Sequence, residues 1–214
     1  MKRMQPGFRR SAGAAALVLV GAGLAAPFLP SGPMIGQAVA EPSGDAAPGA
    51  YTVDAVHSSV IYRIKHMDVA YHYGRFNDFA GTFLLNADSP ADSSVEITIQ
   101  TASIDSGNGG RDKHLRSPDF FNVEQFPTAT FSSTSVRKTG DTTYEVTGDF
   151  TLNGTTKPIT VTINNTGEGQ GRGGVEIAGF ETTFTFNRLD YGLGRPGGVG
   201  EDVRLTVSCE GARK

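Results

Sequence analysis

The sequence predicts an all-β fold of about eight antiparallel strands, the usual size of a small closed barrel, and three observations predict it. Apolar residues recur with a period of two in segment after segment, the pattern of strands with one buried face. Clusters of Gly, Asn, Asp, Ser and Pro separate those segments. Asn153-Gly154 stands between two of them, a hairpin signal because both central residues of that turn need positive φ.

The amino terminus has a different character. Lys2, Arg3, Arg9 and Arg10 precede a mostly apolar run from Ala12 to Pro30, and no acidic residue occurs before Glu41. This reads as a cleaved signal peptide over residues 1–40, with Ala38-Val39-Ala40 supplying the small residues for cleavage after Ala40. Gly13, Gly21, Gly23, Pro27 and Pro30 interrupt the run, short of the roughly 20 apolar residues of a membrane span. Arg9-Arg10 admits a twin-arginine address beside ordinary Sec export. The expected location is periplasmic or secreted. Removing the four basic residues from 19 leaves 15 against 22 acidic, a net charge of −7 on 174 residues. That balance argues against nucleic acid, and the length fits one domain. Residues 41–50, rich in Pro, Gly, Ala and Ser, read as a flexible leader, with the folded domain at 51–214.

Along that domain Val60, Tyr62 and Ile64 alternate with Ile61, Arg63 and Lys65. Gly74 to Asn86 is the next expected strand, followed by Val95, Ile97 and Ile99 alternating with Glu96, Thr98 and Gln100. Arg111 to Ser117 is the helical candidate; it stops at Pro118 and is followed by Phe120 and Phe121, so it reads as a lid or plug over one end. Thr128 to Lys138 and Thr142 to Asn153 follow as strands. Ile159, Val161 and Ile163 then alternate with Thr160, Thr162 and Asn164. Glu176 to Asn187 carries Phe180, Phe184 and Phe186, and Val203, Leu205 and Val207 alternate with Arg204, Thr206 and Ser208. Periodicity leaves a closed barrel and a two-sheet sandwich open. The lone Cys209 excludes an intramolecular disulfide and reads as a half-buried strand residue.

Chemistry-bearing patterns are sparse. His57, His66, His72 and His114 show no tight metal-binding spacing, and no Gly-x-Ser-x-Gly elbow is present. Gly192, Gly194 and Gly197 match a dinucleotide fingerprint, but Pro196 lies inside it and a strand follows, so the stretch reads as a glycine-rich loop. Asp105, Arg111, Asp112, Arg116 and Asp119 crowd the helical turn and read as capping and fastening charges. No catalytic residue, metal or cofactor is expected.

Arg111-Asp112-Lys113-His114-Leu115-Arg116-Ser117-Pro118-Asp119-Phe120-Phe121, followed by Phe126-Pro127-Thr128-Ala129-Thr130-Phe131, closely resembles the YceI-like family of bacterial lipid-binding proteins. Supporting blocks are Tyr51-Thr52-Val53-Asp54 leading to His57-Ser58-Ser59-Val60, then Lys65-His66, Gly74-Arg75-Phe76, Asp78-Phe79 and Gly81-Thr82. Gly148-Asp149-Phe150-Thr151-Leu152-Asn153-Gly154, Thr156-Lys157-Pro158, Gly179-Phe180, Asn187-Arg188, Asp190-Tyr191-Gly192 and Val199-Gly200-Glu201-Asp202-Val203 continue the resemblance to about Glu210. It implies a lipocalin-like extended eight-stranded barrel whose interior holds an isoprenoid chain, such as a quinone or its precursor, with no turnover. Tyr71-His72-Tyr73, just before the Gly74 strand, and the Gly167 to Gly174 loop depart from the family pattern and leave the head group open.

The residues expected to line the ligand channel are Val60, Tyr62, Ile64, His66, Phe76 and Phe79 from the first half. Val95, Ile97, Ile99, Phe131, Phe150, Ile159, Val161, Phe180, Phe184 and Val203 complete the set. His66 continues the parity of Val60, Tyr62 and Ile64 and is expected inward at a strand end, where it or Tyr62 would hold the head group. Phe76 and Phe79 have opposite parity, so placing both inside requires a bulge near Asp78. The expected partner is one polyisoprenoid lipid; a homodimer stays open. The alternatives are a β-sandwich interaction module of the envelope and an enzyme acting on a small lipid.

Overall fold

The computed structural model describes residues 49–213; the expected signal peptide and residues 41–48 of the expected leader lie outside them. The strands are β1 Tyr51–Val53, β2 Ser59–His66, β3 Ala70–Phe76, β4 Phe79–Leu84, β5 Ser94–Gln100 and β6 Ile104–Asp105. They continue as β7 Thr128–Lys138, β8 Thr143–Leu152, β9 Thr155–Gln170, β10 Glu176–Asn187 and β11 Val199–Arg213, with one α-helix, α1, at Gly109–Arg116. Every pairing is antiparallel.

The order β1-β4-β5-β7-β8-β9-β10-β11 closes on itself through β1 and β11, giving an eight-stranded barrel. Closure excludes the sandwich. The remaining segments extend three of the eight positions. β2 runs along β11 beyond β1, β3 pairs with β2 as β4 pairs with β1, and β6 pairs with β3 as β5 pairs with β4.

Each break has a local cause. Between β1 and β2 the chain loops out at 55–57, and Asp54 and Ser58 hold the ends. Asp54 N donates to Glu210 O at 2.8 Å, Ser58 Oγ donates to Asp54 O at 2.6 Å, and Glu210 N donates to Ser58 Oγ at 3.0 Å. The expected strand Gly74 to Asn86 is two strands, β3 and β4, parted at Asn77-Asp78. This break replaces the expected bulge and leaves Phe76 and Phe79 both buried, at 8% and 6% exposure. Gln100 N donates to Asp78 O at 2.9 Å and Asn77 N to Ser103 O at 3.2 Å, so the freed backbone groups are met by the turn that separates β5 from β6. Tyr71-His72-Tyr73 lies inside β3 rather than before it.

The hairpin at Asn153-Gly154 has φ of 50° and 73°, as its sequence requires. The helix starts two residues before the expected Arg111, with Asn108 as N-cap accepting from Arg111 N at 3.0 Å. It ends where Pro118 forbids further helix.

The core fills one end of the barrel. Phe83 meets Phe180 edge-on at 4.9 Å and stacks on Tyr51 at 5.4 Å, with Val95, Tyr144, Val146 and Ile163 buried around them. Phe180→Ala therefore opens a hole in close-packed aromatic surroundings and is expected to cost about 3–5 kcal/mol. Phe186→Ala, already half-exposed towards the opposite end, is expected to cost less. Urea unfolding of both variants checks the order.

Candidate ligand-binding cavity

The opposite end of the barrel is hollow. A cavity of about 530 Å³ lies between the β2–β3 hairpin, α1 and the β10–β11 connection, within the range of roughly 300–1,000 Å³ typical of small-molecule sites. Register sets its depth. Ile64 pairs with His72 and Val203, and Tyr62 one rung deeper pairs with Gly74 and Leu205. Gly74 is required there, because a Cβ would collide with the Tyr62 ring.

Of the residues expected to line a channel, Tyr62, Ile64, His66, Phe76, Ile99, Phe150 and Val203 line this cavity. Val95, Ile97, Phe131, Val161, Phe180 and Phe184 surround a separate void of about 40 Å³, with Ile99 and Phe150 shared between the two. That void is close to the volume of one water, so this half of the interior is side-chain packing. Val60 and Phe79 are buried and Ile159 half-buried, and none of the three lines either space. His66 is exposed at the rim rather than enclosed.

Several lining residues escape sequence reasoning. Leu152, Phe186 and Leu205 share parity with Phe150, Phe184 and Val203, and that alternation could have found them. His72 shares parity with Phe76, but no strand is expected across it. Arg188 and Leu193 come from the β10–β11 connection, and Leu115, Phe120 and Phe121 come from α1 and the turn after it; nothing periodic marks them.

The helix is fastened to the barrel by polar groups. Arg116 donates to Ala102 O at 2.7 Å and Ile104 O at 2.8 Å, and Arg111 donates to Ser106 Oγ at 2.8 Å and Ser106 O at 2.7 Å. The buried Asp112 carboxylate accepts from Ser106 N at 2.8 Å. On the other side Arg188, 2% exposed, donates to the carbonyls of Leu193 at 2.6 Å, Arg195 at 2.8 Å and Gly200 at 2.9 Å. One side chain thereby gathers the long connection against the cavity.

Among the described residues none that lines the wall carries a carboxylate, and Asp119 lies behind His114 at 3.4 Å. The wall's titratable groups are Tyr62, His66, Tyr71, His72, Arg111, His114 and Arg188. Burial pushes the Tyr62 hydroxyl up to about 12, with Asp112 and Asp105 adding to the rise and Arg111 opposing it. Burial first, then Arg111 and His66, lowers His72. Burial likewise lowers Arg188. The Cys209 thiol, pushed up to about 12 by burial, is not poised to react.

Away from the cavity, Asp54, His57 and Glu210 form a cluster of potential metal ligands among the described residues. His57 Nδ1 lies 2.8 Å from Asp54 Oδ2 and 3.9 Å from Glu210 Oε1. The Asp54 hydrogen bond raises His57 and ties down the turn between β1 and β2. Sequence spacing cannot reveal such a group, since Glu210 is brought to it by β11.

A family model described as a YceI-like domain matches residues 51–211. A UPF0312 protein of Ectopseudomonas mendocina is 42% identical over 174 residues, covering 80% of this chain and 91% of that protein. Among solved structures, Burkholderia cenocepacia BcnA aligns with a TM-score of 0.68 at 24% identity, covering 74% of this chain and 98% of the other. A polyisoprenoid binding domain from Saccharophagus degradans aligns at 0.62 and 15% identity, covering 79% and 100%. At these identities the two structures establish the shared fold.

His72 gives the cavity end a pH dependence of definite sign. Its folded pKa lies below the ordinary 6.5, so the unfolded chain takes up the proton first and stability falls as pH drops below about 6.5. His72→Phe is expected to flatten that part of the profile, read as the denaturation midpoint between neutral and mildly acidic pH.

Proposed function

This chain belongs to the YceI-like family, and from that premise we propose that its barrel binds one long apolar lipid of the polyisoprenoid type, an isoprenoid quinone or a precursor of one. The observation that carries the reading is the cavity: about 530 Å³, apolar at depth, polar near its rim, and backed by a packed aromatic floor. The polyisoprenoid-binding domain of Saccharophagus degradans, which shares the fold, supports the same ligand class.

The energetics suit a tail-held ligand. Roughly ten buried methylene equivalents at about 0.8 kcal/mol each reach the ~8 kcal/mol of a micromolar complex. A head-group hydrogen bond adds about 1 kcal/mol. Affinity then comes from Ile99, Phe150, Leu152 and Leu205, and orientation from the polar rim. Binding rather than catalysis is supported by the YceI-like family match and by the binding-domain neighbour that shares the fold. We further propose that residues 1–40 direct export and that the protein carries or stores its lipid in the periplasm or outside the cell. An amino terminus at Glu41 in the exported protein tests this, and one at Met1 refutes it.

Organic extraction of protein from its native envelope, followed by mass spectrometry, is expected to yield one isoprenoid per chain. Finding no lipid, with no uptake of added isoprenoid quinones, overturns the carrier reading. Ala129→Phe fills the deep end from a buried cavity position and is expected to weaken uptake at least tenfold, about 1.4 kcal/mol. His66→Ala, at the rim, is expected to leave most binding intact.

A further inference from the structure

The cavity opens beside a surface that no part of the described chain covers. Of seven exposed large apolar side chains among the described residues, Ile61, Met67, Val69, Tyr71 and Tyr73 belong to the β2–β3 hairpin. Met67 and Val69, 67% and 86% exposed, form its tip, where Met67 and Asp68 hold positive φ without being glycine. Such crowding of apolar groups on one exposed element marks an interaction surface.

The outer face of the hairpin combines these groups with cations. Register places Lys65 opposite Tyr71, Arg63 opposite Tyr73 and Ile61 opposite Arg75, with the Arg63 guanidinium 4.0 Å from the Tyr71 ring centroid. The hairpin carries Arg63, Lys65 and Arg75 against Asp68, and α1 carries Arg111, Lys113 and Arg116 against Asp112, a net of +4. Residues 49–213 hold 14 basic and 20 acidic residues, a net of −6, so everything outside these two elements carries −10. Positive charge is therefore concentrated on two of the three elements that border the cavity mouth.

We propose that the β2–β3 hairpin, with α1 beside it, docks on an anionic lipid bilayer so that the cavity mouth faces the membrane. Met67 and Val69 enter the interfacial region, Tyr71 and Tyr73 sit at head-group level as interfacial aromatics do, and Arg63 and Lys65 meet lipid phosphates, while Arg75 at the base of the hairpin pairs with Asp105. The continuity of tip and mouth favours a bilayer over a protein partner: His66, Ala70, Tyr71 and His72 line the cavity from the same hairpin, and Met67 N donates to Gly198 O at 3.2 Å, tying the tip to the connection that closes the other side. A water-insoluble chain leaving such a surface enters the cavity without crossing solvent. Docking rests on the lipid-carrier reading and gives the place where loading occurs.

The test is co-sedimentation of the exported protein, beginning at Glu41, with vesicles of phosphatidylcholine alone and of an equal mixture with phosphatidylglycerol, at low and high salt. Binding to the anionic vesicles is expected, with weak binding to the neutral ones and loss at high salt. Val69→Asp with Met67→Asp is expected to reduce the bound fraction at least tenfold, and Lys65→Glu several-fold, while Arg137→Glu, near the far end of β7 from Ala129, leaves it unchanged. Circular dichroism checks that each variant folds. No binding to anionic vesicles overturns the proposal, as does binding that the tip variants do not alter. A dimer dispersed by Tyr71→Ser and Tyr73→Ser, with no vesicle binding, overturns it in favour of a second copy. Lipid extraction separates the two readings: lipid in the cavity without vesicle binding refutes docking alone, and vesicle binding with an always empty cavity refutes carriage alone.

Discussion

The structure depends on closing the sheet where three residues, Tyr51–Val53, lie between β4 and β11. An eight-stranded ring has an interior just wide enough for side chains or one slender ligand, so closure fixes the bore and leaves the sequence to decide which half is filled. At the closed end Tyr51, Phe83 and Phe180 meet ring to ring and fill it. Towards the other end β1 and β4 give way to β2 and β3, and the cavity wall carries Ala70 on β3 and Ala129 on β7 among larger residues. Those small residues leave volume that α1, Phe120 and Phe121 border without filling.

The long strands were legible because their periodicity is regular: β5, β9, β10 and β11 each present one apolar face, and the Asn153-Gly154 turn has its reason in backbone geometry. Reading failed where a strand position is built from two segments. Gly74 to Asn86 reads as one strand because Phe79, Gly81 and Phe83 share a face, and the opposite parity of Phe76 is the local trace of the break. The break at Asn77-Asp78 is stabilised by backbone partners at Gln100 and Ser103, about 25 residues away in sequence, and local pattern cannot register them. The cavity was half legible for the same reason. Parity tells inward from outward, and Val95, Ile97 and Phe180 do point inward, but it carries no information on depth along the barrel.

Polar residues divide the same way. The charges around α1 have short-range partners in 102–106, so their number in the sequence was a usable sign of a fastened helix. Arg188 gave no sign, because its partners are backbone carbonyls of a connection whose course only tertiary structure defines. A buried guanidinium with carbonyl partners in place of a carboxylate keeps negative charge out of the wall. It also makes the connection's position depend on one side chain, since removing a buried charge's partners, or the charge itself, leaves polar groups unsatisfied.

A hollow of this size is itself a constraint on stability. Residual enclosed cavity in protein cores costs about 24 cal/mol per Å³, so the deep, apolar end of this open-mouthed space weighs against a domain's net stability of only roughly 5–15 kcal/mol. Water relieves part of that cost near the rim, where imidazole and guanidinium groups offer partners, and little of it at depth beside Ile99, Phe150 and Leu205, which offer none. The hollow persists because the surrounding ladder is closed and its walls cannot collapse without breaking strand pairing on both sides. An apolar ligand removes the same cost by supplying the missing contacts, which links occupancy to folding: whatever fills the deep end stabilises the barrel in proportion to its affinity for the folded state. Filling with the protein's own side chains would achieve the same stability and abolish the space. The small Ala70 and Ala129 side chains along these walls are therefore what keeps the space open, whereas Gly74 receives the Tyr62 ring.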